Sequence, residues 1–204
     1  MIKNIVFDMG GVIIRFDRHL FISRFDVSPE DEKLLETELF TSIEWAQMDR
    51  GSITEKEAEQ SICARLPGRL HDVAHKLITM WDRPILPVDG MEDLIRELHE
   101  NGYKIYLLSN ASVRQPEYWA RVPAARYFDD TLVSAAIRLV KPQPEIYVCA
   151  YNRFNIRPEE SVFIDDNPWN CEASQCTGMR AFVFHNDAGA VRRFLRSLGV
   201  RVNA

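Results

Sequence analysis

The sequence predicts an α/β fold, a doubly wound parallel sheet with an inserted α-helical cap domain, and three observations point there. A short continuous apolar run, "NIVF", opens the chain and stops at Asp8 and a glycine turn, as a fully buried strand does. From about residue 86 onward, helix and strand patterns alternate, which favours parallel strands with helices on both faces. Between these regions the chain carries helical patterns and no good strand. Residues 1–15 and 86–204 are therefore expected to form a Rossmann-like core, and residues 16–85 a cap.

Taken in order, "SPEDEKLLETELF" reads as a helix with Ser28 as N-cap and acids in its first turn. In "SITEKEAEQSICARL" either Ser52 or Thr54 suits the cap, and Ile62 and Leu66 fall on one face. "LHDVAHKLITMW" is the third helical stretch. Beyond it, "MEDLIRELHENG" is a helix ending at Gly102, and "YKIYLLSN" is a strand running into a polar turn. "QPEYWARVP" is helical or irregular, and "PEIYVCAYNRFN" is helical. "ESVFIDDN" is another buried strand, "CEASQCTG" a helix ending at Gly178, and "MRAFVF" a final strand.

The bulk properties narrow the function. A length of 204 residues with 46% hydrophobic content suffices for one well-buried core and a smaller appended unit. The net charge of -5 offers no basic stripe to neutralise phosphates, which argues against nucleic acid or an acidic membrane surface as partner. No signal segment or bilayer-length apolar run is evident. Cys63, Cys149, Cys171 and Cys176 are scattered without a CxxC pairing, so free thiols in a reducing cytoplasm are expected. Either a monomer or a homodimer suits the sequence.

The chemistry gathers at strand ends, where parallel sheets bind their ligands. Asp8 follows "NIVF", Ser109 and Asn110 follow "IYLL", and Asp165 and Asp166 follow "SVFI". Lys141 stands in "VKP", ahead of a helix. Each piece alone also suits a turn, a helix cap or a solvated pair. Together they form a kit for phosphoryl transfer through an aspartyl-phosphate: a carboxylate attacks phosphorus, while Lys and Ser hold the phosphate oxygens. Mg²⁺ would screen the repulsion between the anions, and hard oxygen ligands suit it.

On "FDMGGV", "LLSNAS", "KPQPEIY" and "FIDDNPWNCEAS", in that order and across essentially the whole chain, the sequence resembles the haloacid dehalogenase superfamily. Within it, the chain looks like the branch with a helical cap after the first strand, and like small bacterial phosphatases acting on α-D-glucose 1-phosphate. The resemblance implies Asp8 as nucleophile and metal ligand, with Ser109 and Asn110 binding the phosphoryl group. It implies Lys141 as the neutralising cation, and Asp166 as the more direct Mg²⁺ ligand with Asp165 beside it. The backbone carbonyl of Gly10 would complete the metal site, and Asn170 would orient its surroundings.

Gly10 departs from the pattern, because most phosphatases of the superfamily carry there an aspartate that acts as general acid and then base. Such help is typically worth about 100- to 10,000-fold. Either the leaving group departs unaided, which suits a sugar 1-phosphate, or another acid reaches in. Asp17 is the first candidate, a helix cap or hinge salt bridge its equally weighted alternative. A third outcome is a phosphate- or partner-binding domain without turnover, and a 2-haloacid dehalogenase is the enzymatic runner-up.

Other residues are weighed against plainer roles. "EWAQMDRG", with Trp45, Met48, Asp49 and Arg50 ahead of Gly51, is the cap stretch expected to face the substrate, although Trp45 itself is expected in the core. Arg114 and Trp119 are candidates for the pocket rim. His71 and His75 have metal-like spacing but no third ligand, so a solvated helix face is expected. Cys171 and Cys176 are expected to pack.

Overall fold

A computed structural model describes residues 1–203. The wholly buried segment Asn4–Phe7 forms β1. Five helices follow: α1 (Arg18–Ile22), α2 (Pro29–Leu35), α3 (Ile43–Arg50), α4 (Glu55–Cys63) and α5 (His71–Met80). Next come α6 (Met91–Glu100), β2 (Lys104–Ser109), α7 (Gln115–Trp119), β3 (Asp130–Val133) and α8 (Ser134–Ile137). The chain finishes with α9 (Pro144–Phe154), β4 (Ser161–Asp165), α10 (Pro168–Cys176), β5 (Arg180–Val183) and α11 (Ala188–Ser197).

The five strands make one parallel sheet in the order β3-β2-β1-β4-β5, so β1 is central. Its neighbours are β2 and β4, both parallel to it. The strands read as unbroken apolar runs because both faces are covered. Ile5, Phe7, Ile105, Leu107, Val162 and Ile164 enter one hydrophobic cluster. Their alternates Val6, Tyr106, Leu108 and Phe163 enter a second, beneath Ile146, Tyr147 and Phe154 of α9. Each such side chain contributes on the order of 1.5–3 kcal/mol by leaving water.

Between β1 and β2 the described residues form helices and no strand, as expected. Thr54, not Ser52, caps α4: its hydroxyl accepts from Glu57 N at 3.2 Å while the Glu57 carboxylate accepts from Thr54 N at 2.8 Å. The stretch after Ser28 is not one uniform helix. Its end widens into a π-helical turn over Glu36–Phe40, where the Thr41 amide reaches back to Glu36 O and its hydroxyl donates to Thr37 O. Ile62 and Leu66 are both buried, but α4 has ended before Leu66.

The helices α1, α3, α8 and α11 and the strand β3 were not expected as separate elements from the sequence. α3 takes shape where Ser42 caps its start and Gly51, at φ 72°, ends it. β3 and α8 divide "DDTLVSAAI" at Ser134. Asp187 caps α11, which buries Val191 and Leu195. Among the described residues, no helix is long and apolar enough to cross a membrane.

Candidate active site

Strand register brings the acids together. Phe7 pairs with Ile164 across β1 and β4, so Asp8 and Asp165 leave the sheet at one level, and Asp8 N donates to Ile164 O at 2.9 Å. On the other side Phe7 pairs with Leu107, which sets Ser109 and Asn110 at the same edge.

Lys141 joins these ends. Its ammonium lies 2.8 Å from Asp8 Oδ1 and 2.7 Å from Asp165 Oδ2, and it donates to Leu108 O at 2.9 Å. Both Asp165 oxygens are occupied. Asn170 Nδ2 donates to each at 3.0 Å, and Asn167 N donates to Oδ1 at 2.8 Å. Tyr147 in turn donates its hydroxyl to Asn170 O at 2.8 Å. Burial is the largest influence on Asp8, pushing its carboxyl up to about 7 against the pull of Lys141. Burial opposes the charge on Lys141 as well, but Asp165 and Asp8 together hold the ammonium above its ordinary value.

Asp166 has a different setting: it lines the cleft, and burial and then the Asp165 charge raise its carboxyl above the ordinary value. Gly11 makes room for it. A Cβ on Gly11 would stand 2.2 Å from Asp166 Oδ2, and the backbone there has φ 77°, so a side chain is excluded twice. One oxygen from each of Asp8, Asp165 and Asp166 lies within 4.8 Å of the others. Such an all-oxygen set, with two of its acids pushed toward neutrality, fits a hard divalent cation. Since Asp165 already accepts four hydrogen bonds, Asp8 and Asp166 are the better placed for direct ligation.

Asp8, Gly10, Asp166 and Asn170 line a cavity of about 230 Å³. Phe16, Trp45, Met48, Ile78, Trp81 and Tyr118 make up the apolar part of its lining, beside the acids Asp49 and Glu55. The aromatic rings brace one another, with Phe16 5.2 Å from Trp81 and Trp81 5.1 Å from Tyr118 between centroids. Trp45 thus serves two roles, packing on Phe16 and Phe40 while it also lines the cavity.

Other candidates fall in differing places. Ser109 is buried at the end of β2, while Asn110, Ala111 and Ser112 form the wall beside it. The Asn110 side chain is spent on Lys141, accepting from its N at 2.8 Å and donating to its O at 3.0 Å. That makes Asn110 a clamp on the lysine. Asp17 lies exposed at the start of α1, accepts from Leu20 N at 3.1 Å and is not part of the cavity wall. The helix-cap alternative describes it. Arg114 donates to Ile78 O and Asp82 Oδ1, tying the helical segment to the core, and Trp119 stacks edge-on with Phe128. Tyr118, between them in sequence, is the residue that reaches the cavity.

His71 meets Leu66 O and His75 meets Glu59, so neither joins a metal cluster among the described residues. Cys171 is buried as expected, whereas Cys176 is exposed. The sequence reading passed over Gly11, Ser134 and Glu55. The Ser134 hydroxyl binds both Asp49 O and Ala111 N, and Ser112 donates to Glu55 Oε1 at 2.8 Å, so these contacts join the helical segment to the loop after β2. Only the positive backbone angle at Gly11 had a local signal, the doubled glycine.

Comparison with known proteins agrees with this architecture. Residues 2–178 match the family of haloacid dehalogenase-like hydrolases. The chain belongs to that family. This haloacid dehalogenase-like hydrolase is 28% identical over 208 residues to D-ribitol-5-phosphate phosphatase of Bacteroides thetaiotaomicron, covering 92% of this chain and 94% of the relative. It is 25% identical to drimenol cyclase drtB of Aspergillus calidoustus over 98% of its own length, but spans only 37% of that protein. Among solved structures, the magnesium complex of a HAD family enzyme of Bacteroides thetaiotaomicron superposes with a TM-score of 0.72 at 25% identity, covering 95% of this chain and 98% of the other.

Proposed function

We propose that this hydrolase is a Mg²⁺-dependent, cytoplasmic phosphatase of small phosphorylated metabolites that works through an aspartyl-phosphate on Asp8. The observation that carries the reading is the seating of Asp8: a carboxylate at the end of the central strand, held at 2.8 Å by a buried ammonium, opening onto a cavity beside Asp166. The relatives named as phosphatases and the magnesium-bound neighbour support it.

In the first step an Asp8 oxygen attacks phosphorus, and the bond from phosphorus to the leaving oxygen breaks. In the second, water attacks the same phosphorus and the bond to Asp8 breaks, releasing phosphate. Lys141 sets the attacking carboxylate and offsets the incoming charge, while Asn110 fixes the lysine backbone. Ser109 and the backbone amides after β2 are the proposed phosphate donors. Mg²⁺ held by Asp8 and Asp166, with Asp165 behind them and the Gly10 carbonyl as a further donor, would screen the repulsion between carboxylate and phosphate.

The helical segment, residues 16–85, acts as the cap, and its aromatic wall covers the substrate and excludes water. A hexose 1-phosphate is the sharpest single substrate, because an anomeric hydroxyl leaves more easily than an ordinary alcohol. The test is a Mg²⁺-dependent screen containing sugar 1-phosphates and 6-phosphates, alongside Asp8→Asn. Turnover lost in Asp8→Asn and on chelation supports the reading. Chloride release from a 2-haloacid that survives chelation would replace it with the dehalogenase.

A further inference from the structure

We propose that Asp49, on the helical segment, supplies the proton that the chain lacks at Gly10, serving as general acid toward the leaving group and then as general base toward water. The inference rests on the phosphatase reading above. Three independent features of the site carry it.

The first is location. Asp49, carried by α3 of the helical segment, lines the same cavity as Asp8, Gly10 and Asp166, and Asp8 and Lys141 are the charges that act on it. A proton donor must reach the leaving oxygen, across the phosphoryl group from the nucleophile, so it has to come from a group that lines this cavity.

The second is anchoring. Asp49 is the penultimate residue of α3, and the turn from α3 into α4 is fixed to the core at three points. The Ser134 hydroxyl donates to Asp49 O and also holds Ala111 N at 2.9 Å, in the loop that follows β2. Gly51 lies so close that a Cβ would stand 2.4 Å from Ala135 O, at φ 72°. Ser112 grips Glu55 at the start of α4. These contacts hold the Asp49 backbone in place beside the loop that follows β2.

The third is availability. Glu55, the other acid that the helical segment brings to the cavity, is engaged by Ser112, and Asp17 is spent on a helix cap. The Asp49 carboxyl makes no hydrogen bond among the described residues; burial dominates its environment, followed by the Asp8 charge, and both outweigh the pull of Lys141. That environment holds it near neutrality at about 7, so both protonation states are accessible at physiological pH. The Tyr118 phenol, driven far up by burial, feels the Asp49 charge, and Asp166 and Glu55 are the other acids of the cavity lining.

The proton balance closes. As Asp8 forms its bond to phosphorus, the Asp49 carboxyl gives its proton to the departing oxygen, which leaves as an alcohol. The Asp49 carboxylate then takes a proton from the attacking water, phosphate leaves Asp8, and the enzyme returns to its starting state. Gly10 need not be catalytic, and poor leaving groups come within reach.

The test compares wild type with Asp49→Asn on p-nitrophenyl phosphate, whose leaving group needs no proton, and on a sugar 6-phosphate, whose leaving group does. The expected loss in kcat/KM is about 100-fold or more on the 6-phosphate and far smaller on p-nitrophenyl phosphate. The alkaline limb of the wild-type pH profile disappears, and phosphate accumulates on Asp8 because water attack lacks its base. Glu55→Gln controls for disturbance of the same wall and should not reproduce the leaving-group dependence. An equal loss on both substrates, or none, overturns the assignment while leaving the phosphatase reading intact. A wild-type protein that hydrolyses neither substrate and never labels Asp8 overturns both.

Discussion

Lys141 Nζ lies 2.8 Å from Asp8 Oδ1, and no part of the lysine side chain is exposed. With Asp165 Oδ2 at 2.7 Å, one buried cation holds two buried carboxylates. Removing a single partner from such a cluster leaves charge uncompensated in a low-dielectric interior, typically at a cost of about 3–5 kcal/mol. Lys141→Met is therefore expected to lose turnover and to unfold at markedly lower urea concentration. Chemical denaturation of the variant beside wild type checks this; a midpoint equal to wild type would show that the acids are neutral without the lysine.

Gly11 separates metal affinity from folding. Alanine there would press on Asp166 and occupy a left-handed backbone region that costs roughly 1–2 kcal/mol. Gly11→Ala should need a higher Mg²⁺ concentration for half-maximal activity, with Asp166 displaced from its place. Gly68→Ala, where a Cβ meets nothing within 4 Å, is the control. Equal Mg²⁺ dependence in both variants would remove Asp166 from the proposed ligand set.

How much of this was legible depends on whether the cause was local. The buried strands, the parallel sheet and the polar residues at strand ends follow from runs such as "NIVF" and "SVFI", because a covered sheet writes itself as continuous apolar segments. Lys141 was recognisable as a candidate, but its bond to both acids is set by strand register across 157 positions of chain, which no local pattern encodes. Ser134 is harder still. A serine at a strand–helix junction looks like any other, and its role exists only because α3 arrives beside it.

Asp17 tests the competing source of a proton. Its carboxylate caps α1 from an exposed position, so Asp17→Ala should cost about 1 kcal/mol of stability without altering turnover. Asn caps as well as Asp, so Asp17→Asn should change neither. A drop in kcat with a shifted pH profile would return Asp17 to the chemistry.

Asp49 should mark the stability of the metal-free protein. Its carboxyl rises from 3.8 to about 7 on folding, so the folded state favours the neutral form. Its contribution is therefore fully present below the unfolded value near 4, declines as pH rises, and is lost above about 7. Asp49→Asn carries no such charge. The variant should melt at the same temperature as wild type at pH 4 and at a higher temperature at pH 8. Matching melting curves at both values would mean that the carboxyl is well solvated after folding.

Gly10 is where the two sources of acid can be set against each other. A Cβ there would stand 3.4 Å from Phe16 Cβ, an ordinary contact, and the backbone has no positive φ, so the fold does not require glycine. Aspartate at this position would place a carboxyl two residues beyond the nucleophile, against the same cavity. In the wild-type background Gly10→Asp should add little to hydrolysis of a sugar 6-phosphate, since Asp49 already provides the proton. In the Asp49→Asn background it should recover much of the lost rate, giving strong non-additivity between two sites that share one function. A double-mutant cycle on kcat/KM, read with a good and a poor leaving group, measures this coupling. If Gly10→Asp accelerates the 6-phosphate reaction equally in both backgrounds, the two carboxyls act independently and Asp49 does not hold the proton that Gly10 leaves unsupplied.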